Sequence, residues 1–303
     1  MKPPILIITH TRDESFKQVL SSVTNYSSDN ILVFCDGPRN EQDISSQKEI
    51  SRIISKSKME GNSIEFIHSK KNLGCKYGVI EAINQFFTRY EEGIILEDDC
   101  IPSDAFFYYC QHCLEQFREN NNILTIGGTN ILSSQVATNE DYFFSAYPLM
   151  WGWATWKHSW KKYDVSLQAW NQDNRKDIFA FLSVNTILEK LYWNRNFNKY
   201  KFDTNANAWG FAWILTSASN NCLNIVPKEN LVTNVGFGLD AVHTQNKSDS
   251  RNSIPFNNSF RVRKDNSKLM INFYYDRLLQ KHWFKINLPN FLKYLIKRLL
   301  GRV

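Results

Sequence analysis

Ile94-Ile95-Leu96-Glu97-Asp98-Asp99-Cys100-Ile101-Pro102-Ser103 sets a short apolar run directly against three acids. An unbroken run of that kind suits a strand buried on both faces of a parallel sheet. Three successive carboxylates repel one another unless a cation or solvent separates their charges. A hard divalent ion with oxygen ligands, Mg2+ or Mn2+, suits them, and diphosphate oxygens can complete its shell. The alternative is an acidic turn capping a helix that starts near Pro102 or Ser103. The place of the acids at a strand end weighs towards the ion.

Upstream, strand and helix signals alternate. Ile5 to Ile8, Ile31 to Cys35 and Ile64 to His68 read as strands. Helical stretches are expected near 15–22, 43–59 and 77–90, where apolar residues recur at helical spacing. Such alternation implies an α/β fold with a mostly parallel sheet flanked by helices. Ligands of these sheets bind beyond the carboxyl ends of the strands. Thr9 to Arg12, Asp36-Gly37, Lys70 to Gly74 and Glu97 to Asp99 each follow a strand. Four polar clusters on one rim define a site.

Downstream the pattern changes. Ser103 can cap a helix to about Arg118, and Ile123 to Ile126 reads as a strand. Tyr142 to Trp160 is dense in aromatics around Trp151-Gly152-Trp153. Residues 161–200 read as helical and polar on one side, Ala208 to Asn221 as a helix, and Leu223 to Val226 as a strand. Residues 244–266 are polar and aperiodic, hence a long loop. In 291–300 apolar residues lie on one side and Lys293, Lys297 and Arg298 on the other, a pattern that fits peripheral contact with an anionic membrane, packing on the body or dimerisation.

Composition sets limits on these readings. At 303 residues with 43% hydrophobic and 22% charged residues, a full-sized core is expected and global disorder is excluded. The net charge of +6 suits phosphate-bearing ligands. No Lys/Arg stripe interleaved with aromatics occurs, so no nucleic-acid partner is expected. Cys110-Gln-His-Cys113 has no second Cys/His pair at finger spacing, and buried thiols are the better reading. No signal-peptide pattern and no apolar span of about 20 residues is found, so a cytoplasmic setting is expected, with the 291–300 segment as a possible tie to the inner membrane face.

The acidic run 94–103, continuing into Phe106-Phe107-Tyr108-Tyr109, resembles the Glu-Asp-Asp version of the D-x-D motif in the N-acetylglucosaminyltransferase I-like enzymes. These are transferases of the GT-A fold. Ile5 to Arg12 and the Asp36-Gly37 turn resemble their nucleotide-binding half. Tyr147 to Trp156 and Asn234-Val-Gly-Phe-Gly238, running on to His243-Thr244, resemble a bacterial branch of sugar transferases in this group. The resemblance spans roughly residues 1–245.

It implies that Asp99 binds the metal, with His243 as a second ligand to metal or diphosphate. Glu97 and Asp98 would contact sugar or ribose, and Thr9, Arg12 and Asp36 would hold base, ribose and phosphate. Trp151, Gly152 and Trp153 would form a loop beside donor sugar and acceptor. Asp203 falls where the family places its catalytic carboxylate, the group that takes the acceptor hydroxyl's proton; a helix N-cap is its other reading. Where that branch carries aromatics this chain has Asn205-Ala206-Asn207-Ala208, which leaves acceptor specificity open.

The expected organisation is a GT-A catalytic domain over 1–245, split into a nucleotide-binding half (1–100) and an acceptor half (101–245), followed by a polar loop and basic amphipathic extension over 246–303. The expected reaction is metal-dependent, inverting transfer of a sugar from a UDP-sugar to a hydroxyl of a glycan or glycolipid, as in polysaccharide biosynthesis, by a hexosyltransferase or an N-acetylhexosaminyltransferase. Two alternatives stand beside it: a non-catalytic nucleotide-sugar or glycan-binding protein on the same fold, and a sugar nucleotidyltransferase. Against the latter, the loop after the first strand, Thr9 to Asp13, contains no glycine.

Overall fold

The computed structural model describes residues 1–27, 29–237, 251–252, 254–265 and 268–299; for 294–299 only the helical backbone is described. The first part is β1 (Ile5–Thr9), α1 (Asp13–Tyr26), β2 (Ile31–Cys35), α2 (Glu41–Met59), β3 (Ile64–His68), α3 (Gly74–Phe87) and β4 (Glu92–Glu97). These strands pair in parallel in the order β3-β2-β1-β4, with Ile5 opposite both Ile31 and Ile94. The period of two in a strand decides which core each residue enters. Ile5 and Ile7 pack with Phe16 and Val19 of α1, whereas Leu6 and Ile8 pack with Val79 and Ile83 of α3. From β1 the chain steps out to β2 and β3, then returns to place β4 on the other side of β1. The crevice at such a reversal is where open α/β sheets take ligands.

The second part is β5 (Cys100–Pro102), α4 (Asp104–Gln116), β6 (Ile123–Gly127), β7 (Tyr142–Ser145), β8 (Trp153–Trp156), α5 (Lys157–Trp160), α6 (Arg175–Phe181), α7 (Ile187–Phe202), α8 (Gly210–Ser219), β9 (Leu223–Pro227), β10 (Val232–Asn234), α9 (Phe273–His282) and α10 (Leu288–Leu299). The full sheet runs β3-β2-β1-β4-β8-β6-β9-β7. Only β8 and β7 oppose the common direction among the described strands, so the sheet is mixed and mostly parallel, as expected of the α/β class. β5 and β10 form a separate antiparallel pair, Asn234 opposite Cys100 and Val232 opposite Pro102. Ser103 caps α4 by accepting from the Phe106 N–H, and Cys110 and Cys113 of that helix are buried.

Two differences from the sequence reading have physical causes. Residues 161–200 are not one helical run: α6 ends near Leu182, Ser183 takes a left-handed φ of 55°, and Thr186 with Glu189 forms a capping box that starts α7. The chain beyond 246 is not merely a loop and an extension. Tyr275 and Leu279 of α9 are fully buried in the same core as Tyr147, Trp193 and Leu215, so this segment closes the second half of the body. Residues 291–299 belong to α10, and Leu292 is exposed. No helix among the described residues is long and apolar enough to cross a membrane.

Asp276 anchors α9. Its carboxylate accepts the Ser145 hydroxyl at 2.5 Å and the Ala146 N–H at 3.0 Å. Burial pushes its pKa up to about 7 against the pull of those two hydrogen bonds. The unfolded chain releases this proton near pH 4, while the folded chain keeps it to about 7. Stability therefore falls as pH rises between these values, then levels off, by on the order of 4 kcal/mol. Asp276→Asn removes this titration. Its melting temperature relative to the unsubstituted protein should rise by about 5 °C or more between pH 5 and pH 8. Parallel pH profiles of the two proteins would contradict the assignment.

Candidate functional site

The carboxyl ends of β1, β2 and β4 and the N-terminus of α3 surround a cavity of about 360 Å3, whose lining includes Thr9, His10, Arg12, Asp36, Asn72, Cys75, Glu97, Asp98, Asp99, Trp151, Asn207 and Asn234. Its size is that of a small-ligand cleft. Thr9 to Arg12 and Glu97 to Asp99 thus meet in full, and of Asp36-Gly37 the aspartate lines the cavity. Of the fourth, 70–74, Asn72 and Gly74 line the cavity while Lys70 and Lys71 are exposed outside it.

The acidic triplet lies at the floor. Asp98 accepts from the Thr9 hydroxyl at 2.9 Å, the His10 N–H at 3.2 Å and Arg12 Nη1 at 3.2 Å. Arg12 Nη1 also donates to Asp99 Oδ2, and Asn234 Nδ2 donates to Asp99 Oδ1 at 3.2 Å. Asn234 is there because β10 pairs with β5, the strand that leaves the triplet, and the Val235 N–H bonds the Asp99 carbonyl at 2.9 Å. Burial opposes the Arg12 charge, but Asp98, Asp99 and Glu97 outweigh it and raise its pKa. Glu97 is pushed up to about 8 by burial and by Asp99 and Asp98, with Arg12 opposing. Asp98 is also raised, by burial first, with Arg12 pulling the other way. Both shifts favour the protonated forms, so the corner carries less negative charge than three free acids would.

That arrangement bears on the expected ion. Asp99 has one oxygen on a guanidinium and the other on an amide N–H, and Asp98 receives three donors. Among the described residues, no three His, Cys, Asp or Glu side chains are grouped to hold a metal ion. With Arg12 seated as it is, the donor set does not fit a divalent cation. The guanidinium stands in the cation's place. His243 lies outside the described residues.

Asp36 is placed in the cavity but its carboxylate is already engaged. It accepts from the N–H groups of Gly37 at 2.8 Å, Leu73 at 2.9 Å and Gly74 at 3.0 Å, and from Asn72 Nδ2 at 3.1 Å. A carboxylate at the start of α3 also suits the helix dipole. Asp36 thus holds the 72–74 turn against β2 instead of presenting free oxygens. His10, Asn72 and Asn207 also line the cavity, none of them given a role of its own in the sequence reading. His10 Nε2 lies 3.0 Å from the Gly37 carbonyl, and Asn207 Oδ1 accepts the Lys76 N–H at 2.7 Å. Cys75 lines the same wall with its thiol pushed up to about 12, by burial and then by Glu97.

The tryptophan loop divides. Trp151 lines the cavity and packs on Trp283 (4.5 Å between centroids) and Phe237 (5.5 Å). Gly152 has φ 63°, and a Cβ there would lie 2.7 Å from Val232 Cγ2, so both conformation and space require glycine. Trp153 is buried against Trp209 and Trp213 in the core beneath α3 and does not reach the cavity, contrary to the expected ligand role. Asp203 is not brought to the cavity either. It is exposed at the C-terminal end of α7, not a helix N-cap, and its carboxylate accepts the Asn205 N–H at 2.9 Å.

The role of Asp36 is open to direct measurement. Asp36→Ala leaves the Leu73 and Gly74 N–H groups without their acceptor, at a cost of roughly 2–4 kcal/mol. Amide exchange at Leu73 and Gly74 should accelerate by about tenfold or more relative to the β1 amides. Unchanged protection at both would show that something else holds the turn.

No family model matches the chain, and no curated protein matches it. Among solved structures, the chain is similar to the mannosyltransferase PcManGT from Pyrobaculum calidifontis in complex with GDP-Man and Mn2+. The likeness has a TM-score of 0.41 and 8% identity, over 72% of this chain and 70% of that one. A likeness at that level bears on neither the donor nor the metal of this chain.

Proposed function

We propose that this chain is a GT-A glycosyltransferase that moves a sugar from a nucleoside diphosphate, UDP in the first instance, to a hydroxyl of a glycan or lipid-linked glycan with inversion. The observation that carries this reading is the meeting of Arg12 with Asp98 and Asp99 at the β1/β4 reversal, inside one cavity of ligand size. The sequence resemblance around 94–107, 147–160 and 223–244 supports it independently.

In this reading Arg12 meets the diphosphate, where a guanidinium can form paired charge-assisted hydrogen bonds to phosphate oxygens and offset the charge that grows on the leaving group. The turn fixed by Asp36, with His10 and Asn72, holds the nucleoside end. Trp151 offers an aromatic face to a sugar ring. Asp203 serves as base only if 203–208 swings towards the cavity mouth, where Asn207 already lies. A peripheral membrane position through 291–300 would suit a lipid-linked acceptor.

One observation favours the second reading, a nucleotide-sugar-binding protein without transfer. The carboxylates lining the cavity are Asp36 and the triplet, and Asp36, Asp98 and Asp99 are all occupied by donors.

A panel of nucleotide sugars with Mn2+ or Mg2+ separates the readings. Release of the nucleoside diphosphate should be detectable with at least one donor, and Asp99→Asn should lower it by about 100-fold or more while the fold is retained. Thermal stabilisation by a nucleotide sugar without release identifies the binding protein. Asp203→Asn should lower transfer and leave donor binding intact; full transfer would remove Asp203 from the mechanism.

A further inference from the structure

The positive charge of this chain is concentrated at one end. Residues 268–303 hold eight Lys and Arg and one acid, Asp276, whereas the 267 residues before them hold 28 basic and 29 acidic ones. Asp276 is buried beneath α9 on Ser145 and Ala146, so it presents no negative charge at the surface. The net charge of +6 therefore belongs to the last stretch, and the rest of the body is close to neutral.

The same stretch exposes apolar side chains. Tyr275, Asp276, Leu279 and Gln280 of α9 face the core, which turns Phe273, Tyr274, Arg277 and Lys281 outwards on the other side of the helix. The outward face of a surface helix is ordinarily polar. Here Phe273 is 55% and Tyr274 62% exposed, and Met270, just ahead of the helix, is 68% exposed. Leu288 and Leu292 of α10 are exposed as well, the latter next to Lys293 in the chain. None of these residues lines the cavity.

That chemistry selects an occupant. A bilayer surface with anionic headgroups takes up apolar tips at the edge of the acyl chains, seats aromatic rings at headgroup level and attracts the cations among them. A second copy of this chain would set two positive faces against each other, and like charges repel.

We propose that the outer face of α9, with the segment from 268 that leads into it and the start of α10, docks on an anionic membrane surface. This face is wider than 291–300 and belongs to the folded body, because the inner side of α9 is anchored in the core. Trp283, at the end of α9, packs on Trp151 of the cavity wall at 4.5 Å between centroids. About 15 Å of helix thus joins the docking side chains to the cavity, a placement suited to a lipid-linked acceptor. The docking itself does not rest on the transfer reading.

The test is flotation of the full chain, with no sugar nucleotide present, on vesicles of phosphatidylcholine alone and of equal parts phosphatidylcholine and phosphatidylglycerol. Binding to the anionic vesicles should be about tenfold or more tighter, and about 0.5 M salt should release most of the protein. Arg277→Glu with Lys281→Glu should weaken anionic-vesicle binding by about tenfold or more. Phe273→Ser with Tyr274→Ser should weaken it by a similar factor. Lys56→Glu with Lys58→Glu, exposed on α2, makes the same change in net charge and should leave binding within about twofold of the unsubstituted protein. Melting curves check that each pair folds; if one does not, Arg277→Gln or Tyr274→Ser takes its place. Equal binding to both vesicles, or to neither, overturns the proposal. So does undiminished binding by both α9 pairs, which would leave any lipid contact to α10 alone, and so does an equal loss in the α2 pair. A dimer that the Phe273 and Tyr274 substitutions dissociate would identify a second copy as the occupant instead. Release of a nucleoside diphosphate from a sugar nucleotide is scored separately, so vesicle binding without release upholds this inference and removes the transfer reading alone.

Discussion

Carboxylates at the end of a buried strand must be compensated where they stand, and the compensation of Asp98 and Asp99 organises this molecule. Desolvating an unpaired carboxylate costs several kcal/mol, so the fold depends on donors reaching both side chains at once. Arg12, Thr9 and the His10 N–H come from the end of β1, which the parallel register sets beside β4. Asn234 comes from far along the chain, through the β5–β10 pair. Each device relies on the others. β10 lies close because Gly152 and Gly128 let Val232 approach where a Cβ would collide, and the glycine at 152 in turn aims Trp151 at the cavity.

Much of the first hundred residues could be read from sequence because local pattern and tertiary role coincide there. Each strand is an apolar run, each helix has apolar spacing on one side, and each loop after a strand is polar. Short connections leave few ways to arrange such units. The second half lacks that agreement. β8 enters the sheet between β4 and β6, against the common direction, and a partner choice of that kind leaves no local trace in the sequence. The Thr186–Glu189 capping box was legible as a pattern, yet the polar run around it masked the break. α9 is short and follows a polar stretch; its amphipathic pair Tyr275 and Leu279 gains meaning only once the core beneath β7 exists.

Trp151 and Trp153 illustrate the limit well. Two positions apart in a regular strand, they would share a face. Gly152, with its left-handed φ, lies just before β8 and breaks that relation. Trp153 therefore turns into the core beside Trp209 and Trp213, and Trp151 faces the acids. The glycine was visible in the sequence as a sign of close approach, but the partner it approaches, Val232, was not. Asp203 is likewise placed away from the cavity. Its place in chain order fits the family pattern, whereas α7 carries it to an exposed end, and it is Asn207 that comes to the cavity wall.

The two walls of the cavity are built differently, and that difference matters for any transfer between two substrates. One wall consists of strand ends in register and of a turn that Asp36 ties down through the Leu73 and Gly74 N–H groups. Opening it means breaking several buried hydrogen bonds together, so it suits the part of a ligand that must be held in one place. The other wall includes Trp151, which packs on Trp283 and Phe237, and Asn207, joined to α3 by its hydrogen bond to the Lys76 N–H, while Asn234 beside them is held by the β5–β10 pair. A loop residue held in this way, as Asn207 is, opens at lower free energy than strands in a sheet. A ligand bound to the first wall would therefore meet, at Asn207, a wall better able to adjust, and Arg12, whose carbonyl begins α1 and whose guanidinium is paired with Asp98 and Asp99, lines the same cavity.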